Sequence, residues 1–378
     1  MARMHRSPVA SICATCAILV ITALGRAAFC QPFTTETTTQ QRMSTRIVSI
    51  QQEIQLGNNY LSGHGVTRDD KQAAYWYEKA AEAGDPWAEK QIGFFYQSGI
   101  GVPVDPVRAV HWYQLAAASG LVSAKTNLGV AYLWGTGVSK DISLAKQLFM
   151  DAAEKGDGRA ATYLGNMYCL GIVVTRDMVA CEHWYTVGAK RHDPLAEFDL
   201  GTLFSAEDHS RDFDKAAKWF RKSIADGYVP AMHSLALLLE THPELAKSDR
   251  EFLQLFEEAS AYGQWKATQA LGIVYLEGKL TPRDPRTAYY YLDLAALQGG
   301  ADAPQQILSG MLAKLSAETG SEDASRQEAA ARGWYRQHPE RIELLLNDHA
   351  RDKVPGLAIA TPAAGVHAGQ IIAAPPAS

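Results

Sequence analysis

The chain has 378 residues, 47% of them hydrophobic and 20% charged, which supplies enough apolar material for sizeable cores and excludes a chain disordered throughout. Its 36 Lys and Arg against 41 Asp and Glu give a formal net charge of −5, so it lacks the cationic surplus from which generic nucleic-acid binding draws its affinity. In chain order, residues 1–30 come first: a short basic start with Arg3 and Arg6, a charge-free apolar run from Val9 to Leu24, and the small residues of Ala28-Phe29-Cys30. That is the pattern of a signal peptide, its apolar run falling short of the roughly 20 residues that a membrane-spanning helix needs. Cleavage near Cys30 would leave a periplasmic or secreted protein. An uncleaved anchor or a lipid on Cys30 are the alternatives, and the bulky Phe29 speaks against the lipid. Residues 31–50 begin rich in Thr and Gln and read as a flexible lead-in. No later stretch approaches the length of a membrane span.

From there a periodicity runs through the chain. Gly57, Gly93, Gly129, Gly165 and Gly201 are each 36 residues apart, and Ala236 and Gly272 continue the series at 35 and 36. Each is preceded by Leu or Ile, most are followed three residues later by an aromatic ring (Tyr60, Tyr96, Tyr132, Tyr168, Phe204, Tyr275), and an Ala precedes most of them by five. Small and apolar residues at this spacing form one face of a helix. A loop follows, clearest in Gly63-His64-Gly65, Gly99-Ile100-Gly101 and Gly135-Thr136-Gly137, whose glycines suit the left-handed turn that ends a helix. Next comes an aspartate in register (Asp69, Asp105, Asp141, Asp177, Asp212, Asp249, Asp284), placed to cap a second helix, with Pro106 and Pro285 at its first position. Seven residues past each Asp stands a large apolar side chain such as Trp76, Trp112 or Trp184, expected to fill the space between units. Gly84, Gly120, Gly156, Gly227 and Gly299 close the second helix. A helix pair of this kind cannot bury its apolar face alone, so the units must stack into a solenoid.

The pattern resembles the Sel-1-like repeat family, relatives of tetratricopeptide repeats. The first unit carries it in full, from Leu56-Gly57 and Tyr60 through Gly63, Gly65-Val66, Asp69 and Ala73 to Trp76-Tyr77 and Lys79-Ala80-Ala81. The second and third units follow closely, while the fifth and sixth lose the Gly-x-Gly loop. The resemblance implies an all-α fold: a right-handed α-solenoid of stacked helix-loop-helix repeats, about seven units over residues 51–302. Residues 303–353 are expected to form a degenerate eighth unit with a capping helix bearing Glu340, Arg341 and Arg351. Residues 354–378, rich in Ala and Pro, read as a disordered tail.

No phosphate loop, His-Glu-x-x-His helix or Gly-x-Ser-x-Gly elbow interrupts the repeats, so no catalytic, cofactor-binding or metal-ligating residue is expected. The repeated glycines and aspartates are accounted for by helix termination and capping. His183 and His192 lie in or beside the unit that holds Cys169 and Cys181, but no pair at ligand spacing supports a metal there. In an exported protein of this family those two cysteines are candidates for a disulfide stapling the helices of the fourth unit, the alternative being that Cys181 is an alanine-like core residue.

By analogy with tetratricopeptide repeats, the first helices line a concave face, and the residues six and three before the Gly and one, four and five after it point into the groove. That places Trp87, Lys90, Phe94, Gln97 and Ser98 there from the second unit and Thr126 and Trp134 from the third, with Asn58 and Leu61 beside them from the first. These residues are equally open to packing against adjacent units. The function expected is an exported, non-catalytic adaptor or scaffold binding a protein of the envelope or of a host, in envelope signalling, assembly or host interaction. A scaffold touching glycan in exopolysaccharide or cell-wall assembly is the alternative, and a cell-wall hydrolase or penicillin-binding enzyme a remote one.

Overall fold

Among the described residues, helices alone make up the regular structure. The computed structural model describes residues 35–338 apart from 173–174, 207–210, 249 and 279–280, with side chains described from residue 49 on. The expected signal peptide, Cys30, Asp249, the capping residues from 340 on and the tail lie outside the described residues. The described residues from Ile50 on form one compact unit, and those before it, residues 35–49, belong to another.

The helices follow one another in pairs. The first pair is α1 (Thr35–Ser62) and α2 (Asp70–Glu82), the second α3 (Pro86–Ser98) and α4 (Pro106–Ala118), the third α5 (Val122–Trp134) and α6 (Ile142–Glu154). Then come α7 (Gly158–Leu170) with α8 (Met178–Lys190), and α9 (Pro194–Ser205) with α10 (Phe213–Ala225). The sixth pair is α11 (Pro230–Thr241) with α12 (Glu251–Ala261), which a 3-10 turn at Pro243–Leu245 precedes. Last are α13 (Trp265–Glu277) with α14 (Pro285–Gly299), and α15 (Gln305–Thr319) with α16 (Ser321–Gln337). From α2 on, each helix packs on its neighbours in sequence, and α14 packs on both α15 and α16. No strand occurs among the described residues. The architecture is an all-α repeat solenoid.

The registers explain the pairs. Asp69, Asp105, Asp141, Asp177, Asp212 and Asp284 each accept backbone N–H bonds at the start of the second helix of their pair. Gly99, Gly135, Gly171 and Gly278 end first helices in the left-handed conformation, at φ of 74°, 72°, 63° and 68°. A second set of caps was not singled out from the sequence: Asp85 and Asp157 accept from Ala88 N and Ala160 N at the starts of α3 and α7.

The central glycine of each first helix has a specific contact. A Cβ on Gly57, Gly93 or Gly129 would stand 3.0, 2.8 or 2.7 Å from the ring of Tyr77, Tyr113 or Phe149 on the second helix of the same pair. Tyr185 and Phe220 cover Gly165 and Gly201 in the same way, and Leu292 covers Gly272. These rings sit eight residues past the capping Asp, one beyond the Trp that the sequence makes conspicuous. Tyr77, Tyr113 and Phe149 are almost fully buried, and the rings fill the seam between paired helices.

Candidate partner-binding surface

Seven of the nine residues expected in the groove divide into three groups. Trp87 and Trp134 are exposed, at 36% and 38% of their full surface, although Trp87 also meets Tyr77 edge-on with centroids 5.6 Å apart. Ser98 is exposed as well. Phe94 and Leu61 are half-buried and rest on the apolar core. Asn58 and Gln97 serve the seam: each accepts a 2.6 Å hydrogen bond from the hydroxyl of a ring that covers a glycine, Tyr77 and Tyr113 respectively. Asn166 accepts from Tyr185 in the same way.

Thr126 does not belong to the exposed surface. It is fully buried, and its hydroxyl donates to Asp157 Oδ2 at 2.9 Å. Asp157 therefore caps α7 with one oxygen and receives the preceding first helix with the other. The link recurs one unit on, where Thr162 donates to Asp193. In the second unit the threonine register holds Lys90, and the aspartate register that follows it holds Leu121. Lys90 is half-buried, and desolvation, followed by the neighbouring Arg159, holds its ammonium below the usual lysine range. Arg159 itself donates to Asn127 Oδ1 at 2.6 Å.

Replacing Asp157 with alanine is expected to cost about 2–4 kcal/mol, since it removes a helix cap and strands a buried hydroxyl. Asp157→Asn retains acceptors for both bonds and should recover most of the loss in urea unfolding followed by circular dichroism. An Asp157→Ala variant as stable as the parent would show that the link between units is not formed.

Charges also follow a register. Glu53 on α1 pairs with Lys79 on α2 at 3.1 Å, and Glu197 on α9 pairs with Lys222 on α10 at 2.7 Å. The third unit reverses the signs, with Lys125 on α5 bound to Asp151 on α6. In the second unit Leu115 takes the partner's place, and Glu89 is left 5% exposed with Oε2 unpaired, its carboxyl pushed up by burial and then by Asp85. Farther along, burial and then Asp193 push Asp199 to about 8, while burial and then Lys266 pull His233 down to about 4. These perturbed groups are spread over different units, and the geometry assembles no nucleophile with its base from them.

The structure joins Cys169 on α7 to Cys181 on α8 as a disulfide, with Cα atoms 5.2 Å apart. Cys181 is fully buried in the register that holds Ala73, Ala109 and Ala145 in earlier units. With both thiols in a bond, neither Cys169 nor Cys181 is free to join His183 or His192 in a ligand set. His192 instead stands beside Glu197 and Asp226.

Large apolar side chains left exposed on α3, α5, α7 and α11 are Trp87, Trp134, Leu170 and Leu237. Their places relative to the periodic Gly or Ala are six before, five after, five after and one after, all among the registers that tetratricopeptide geometry directs toward a ligand. Leu170, at 69% exposure, and Leu237, at 43%, were not singled out from the sequence, because an isolated Leu on a helix carries no signal until its burial is known.

The Sel1 repeat model matches residues 53–85, 88–121, 122–157, 158–193, 194–228 and 265–300. The chain belongs to the Sel1 repeat family. The model does not match residues 229–264, where α11 and α12 nevertheless form a pair with an altered connection. A Sel1 repeat protein from Oxalobacter formigenes is 28% identical, with a TM-score of 0.56, over 64% of this chain and 98% of the other. A protective antigen present in uropathogenic Escherichia coli strains, displaying an SLR fold, shares the fold at 24% identity and a TM-score of 0.53 over 85% of this chain and 72% of its own. No curated protein sequence matches the chain. Sel1 repeats generally serve as protein-interaction scaffolds rather than as catalysts. Among the described residues no helix is long and apolar enough to cross a membrane.

Proposed function

We propose that this chain is an exported, non-catalytic adaptor that binds a partner protein along the surface of its first helices. One observation carries the reading: Trp87, Trp134, Leu170 and Leu237, the exposed large apolar residues of α3, α5, α7 and α11, all occupy ligand-facing registers. Exposed tryptophans are frequent energetic centres of a protein interface, and uncovered apolar surface beside them marks an interaction site. Export rests on the leader pattern of residues 1–30, and a disulfide in the fourth unit fits an oxidising compartment such as the periplasm or the exterior.

The test is capture from envelope extract with residues 31–378 as bait, beside a variant carrying Trp87→Ala, Trp134→Ala and Leu237→Ala. Phe94 is left intact because it supports the core. A partner held by the first bait should be lost from the second at unchanged helicity, with at least about 2 kcal/mol of binding removed in a direct titration. Equal capture by both baits would refute this surface. Binding of a soluble glycan that quenches Trp fluorescence in the parent alone would transfer the surface to the glycan-contacting alternative.

A further inference from the structure

The tight turns that follow the second helices from α2 to α12 are built alike in all but one case. Gly84, Gly120, Gly156, Gly227 and Gly263 occupy them at φ between 84° and 94°. His192 holds the corresponding place after α8, at φ 56°, the described non-glycine residue with positive φ. Its backbone N–H bonds Ala189 O at 3.2 Å, as those of Gly84, Gly120 and Gly156 bond Ala81, Ala117 and Ala153. A side chain has therefore been placed where the turn favours none.

That imidazole faces two carboxylates. Asp226, the residue that follows α10, has Oδ2 3.2 Å from His192 Nδ1. Glu197, on α9, lies behind with its side chain 0% exposed. One ligand atom from each of the three lies within 4.8 Å of the others. Lys222 Nζ holds Glu197 Oε1 at 2.7 Å, the ion pair of this register, and is itself tied to Ala189 O at 3.1 Å. Both Glu197 oxygens are buried without a hydrogen bond, Oε1 meeting Lys222 as an ion pair alone and Oε2 meeting no donor. A fully buried carboxylate oxygen without a donor leaves unmet demand for positive charge, which a single lysine on its other oxygen satisfies only in part.

We propose that His192, Glu197 and Asp226 form a site for a divalent transition metal of the zinc class. One imidazole and two carboxylates suit zinc, with water completing four-coordination. Calcium and magnesium prefer shells of oxygen alone. The metal takes the place of the proton between His192 and Asp226 and meets the open oxygen of Glu197, while Lys222 keeps the other. Its ligands come from the turn after α8, from α9 and from the end of α10, so it clamps the fourth unit to the fifth beside the disulfide-bearing pair. This site does not depend on the partner-binding reading.

The test uses the full chain freed of metal and titrated with zinc sulfate against a chromophoric chelator, with cobalt(II) spectra as a second readout. The parent should bind one zinc ion, and cobalt should give visible bands of low-symmetry coordination. His192→Gly restores the residue that the other turns carry, so its melting temperature in EDTA should equal or exceed the parent's, while zinc affinity falls more than about tenfold. Asp226→Asn should lose affinity by a similar factor. A parent that takes up no zinc at about 100 μM would overturn the site. So would variants that bind as tightly as the parent, since other surface histidines would then be responsible.

Discussion

Gly101→Ala is expected to destabilise the second unit by about 2–5 kcal/mol, a loss far larger than the same change at Gly65. Both glycines are the second of a Gly-x-Gly loop, and both lie in the left-handed region, at φ 67° and 73°. The backbone strain of an added methyl group is therefore the same, about 1–2 kcal/mol. Their surroundings differ. A Cβ at Gly65 would meet nothing within 4 Å, whereas one at Gly101 would overlap the carbonyl of Asp70 and stand 2.8 Å from Lys71 N. That obstacle is backbone at the start of α2, and no rotamer change relieves it. The first turn of α2 would have to move, and Asp69 would lose hold of Lys71 N and Gln72 N, which it now bonds at 3.0 and 3.1 Å. Gly137 is closed in the same way against Pro106 at the start of α4. Urea unfolding of Gly65→Ala and Gly101→Ala, followed by circular dichroism, gives the comparison. Equal losses at the two sites would show that strain alone makes these glycines necessary and that the loops do not press on the preceding unit.

This contact marks the boundary of what the sequence could tell. The repeat length, the paired helices and the aspartate caps were readable because each leaves a periodic trace in residue type. The loop glycines left the same trace, and helix termination was a sufficient reason for them, so their second duty stayed hidden. It is a contact between units, and spacing within a unit does not express it. The covering rings were concealed differently. Trp76 and Trp112 drew notice by being tryptophan, yet the residue after each, Tyr77 or Tyr113, lies on the glycine. One residue rotates a helix by about 100°, enough to exchange the seam for its flank.

The surface was less legible than the fold. Register arithmetic directed Trp87, Trp134 and Thr126 alike into a groove; the two tryptophans are exposed, whereas Thr126 is buried. Thr126 is drawn inward by Asp157, which belongs to the next unit and is 31 residues away. The grouping of His192, Glu197 and Asp226 had no sequence signature either, because its members come from two turns and a helix at unlike positions in the repeat. What could have pointed there was a missing regularity: the one turn among its neighbours where histidine stands for glycine.

Breaking the Cys169–Cys181 bond is the second change with a large expected effect. The two residues are 12 apart and tie α7 to α8, and closing a loop of about that size is worth about 3 kcal/mol when the unfolded chain is the main thing constrained. Cys181→Ala is the informative variant. Other units carry alanine in this register and bury it fully, so the substitution leaves the packing nearly intact and isolates the cross-link. Its unfolding midpoint in urea should fall as far as that of the parent treated with dithiothreitol, and dithiothreitol should have no further effect on it. A parent indifferent to the reductant would show that no bond contributes to stability. The effect should be strongest around the fourth unit, because a solenoid transmits stability from neighbour to neighbour rather than through one shared core. Amide exchange would locate it, with α7 and α8 losing protection first and α13 and α14 little changed. The same bond bears on where the protein works. A staple worth about 3 kcal/mol persists only in an oxidising compartment, so residues 31–378 made in a reducing cytosol should unfold like Cys181→Ala, and the same residues made in an oxidising compartment should not.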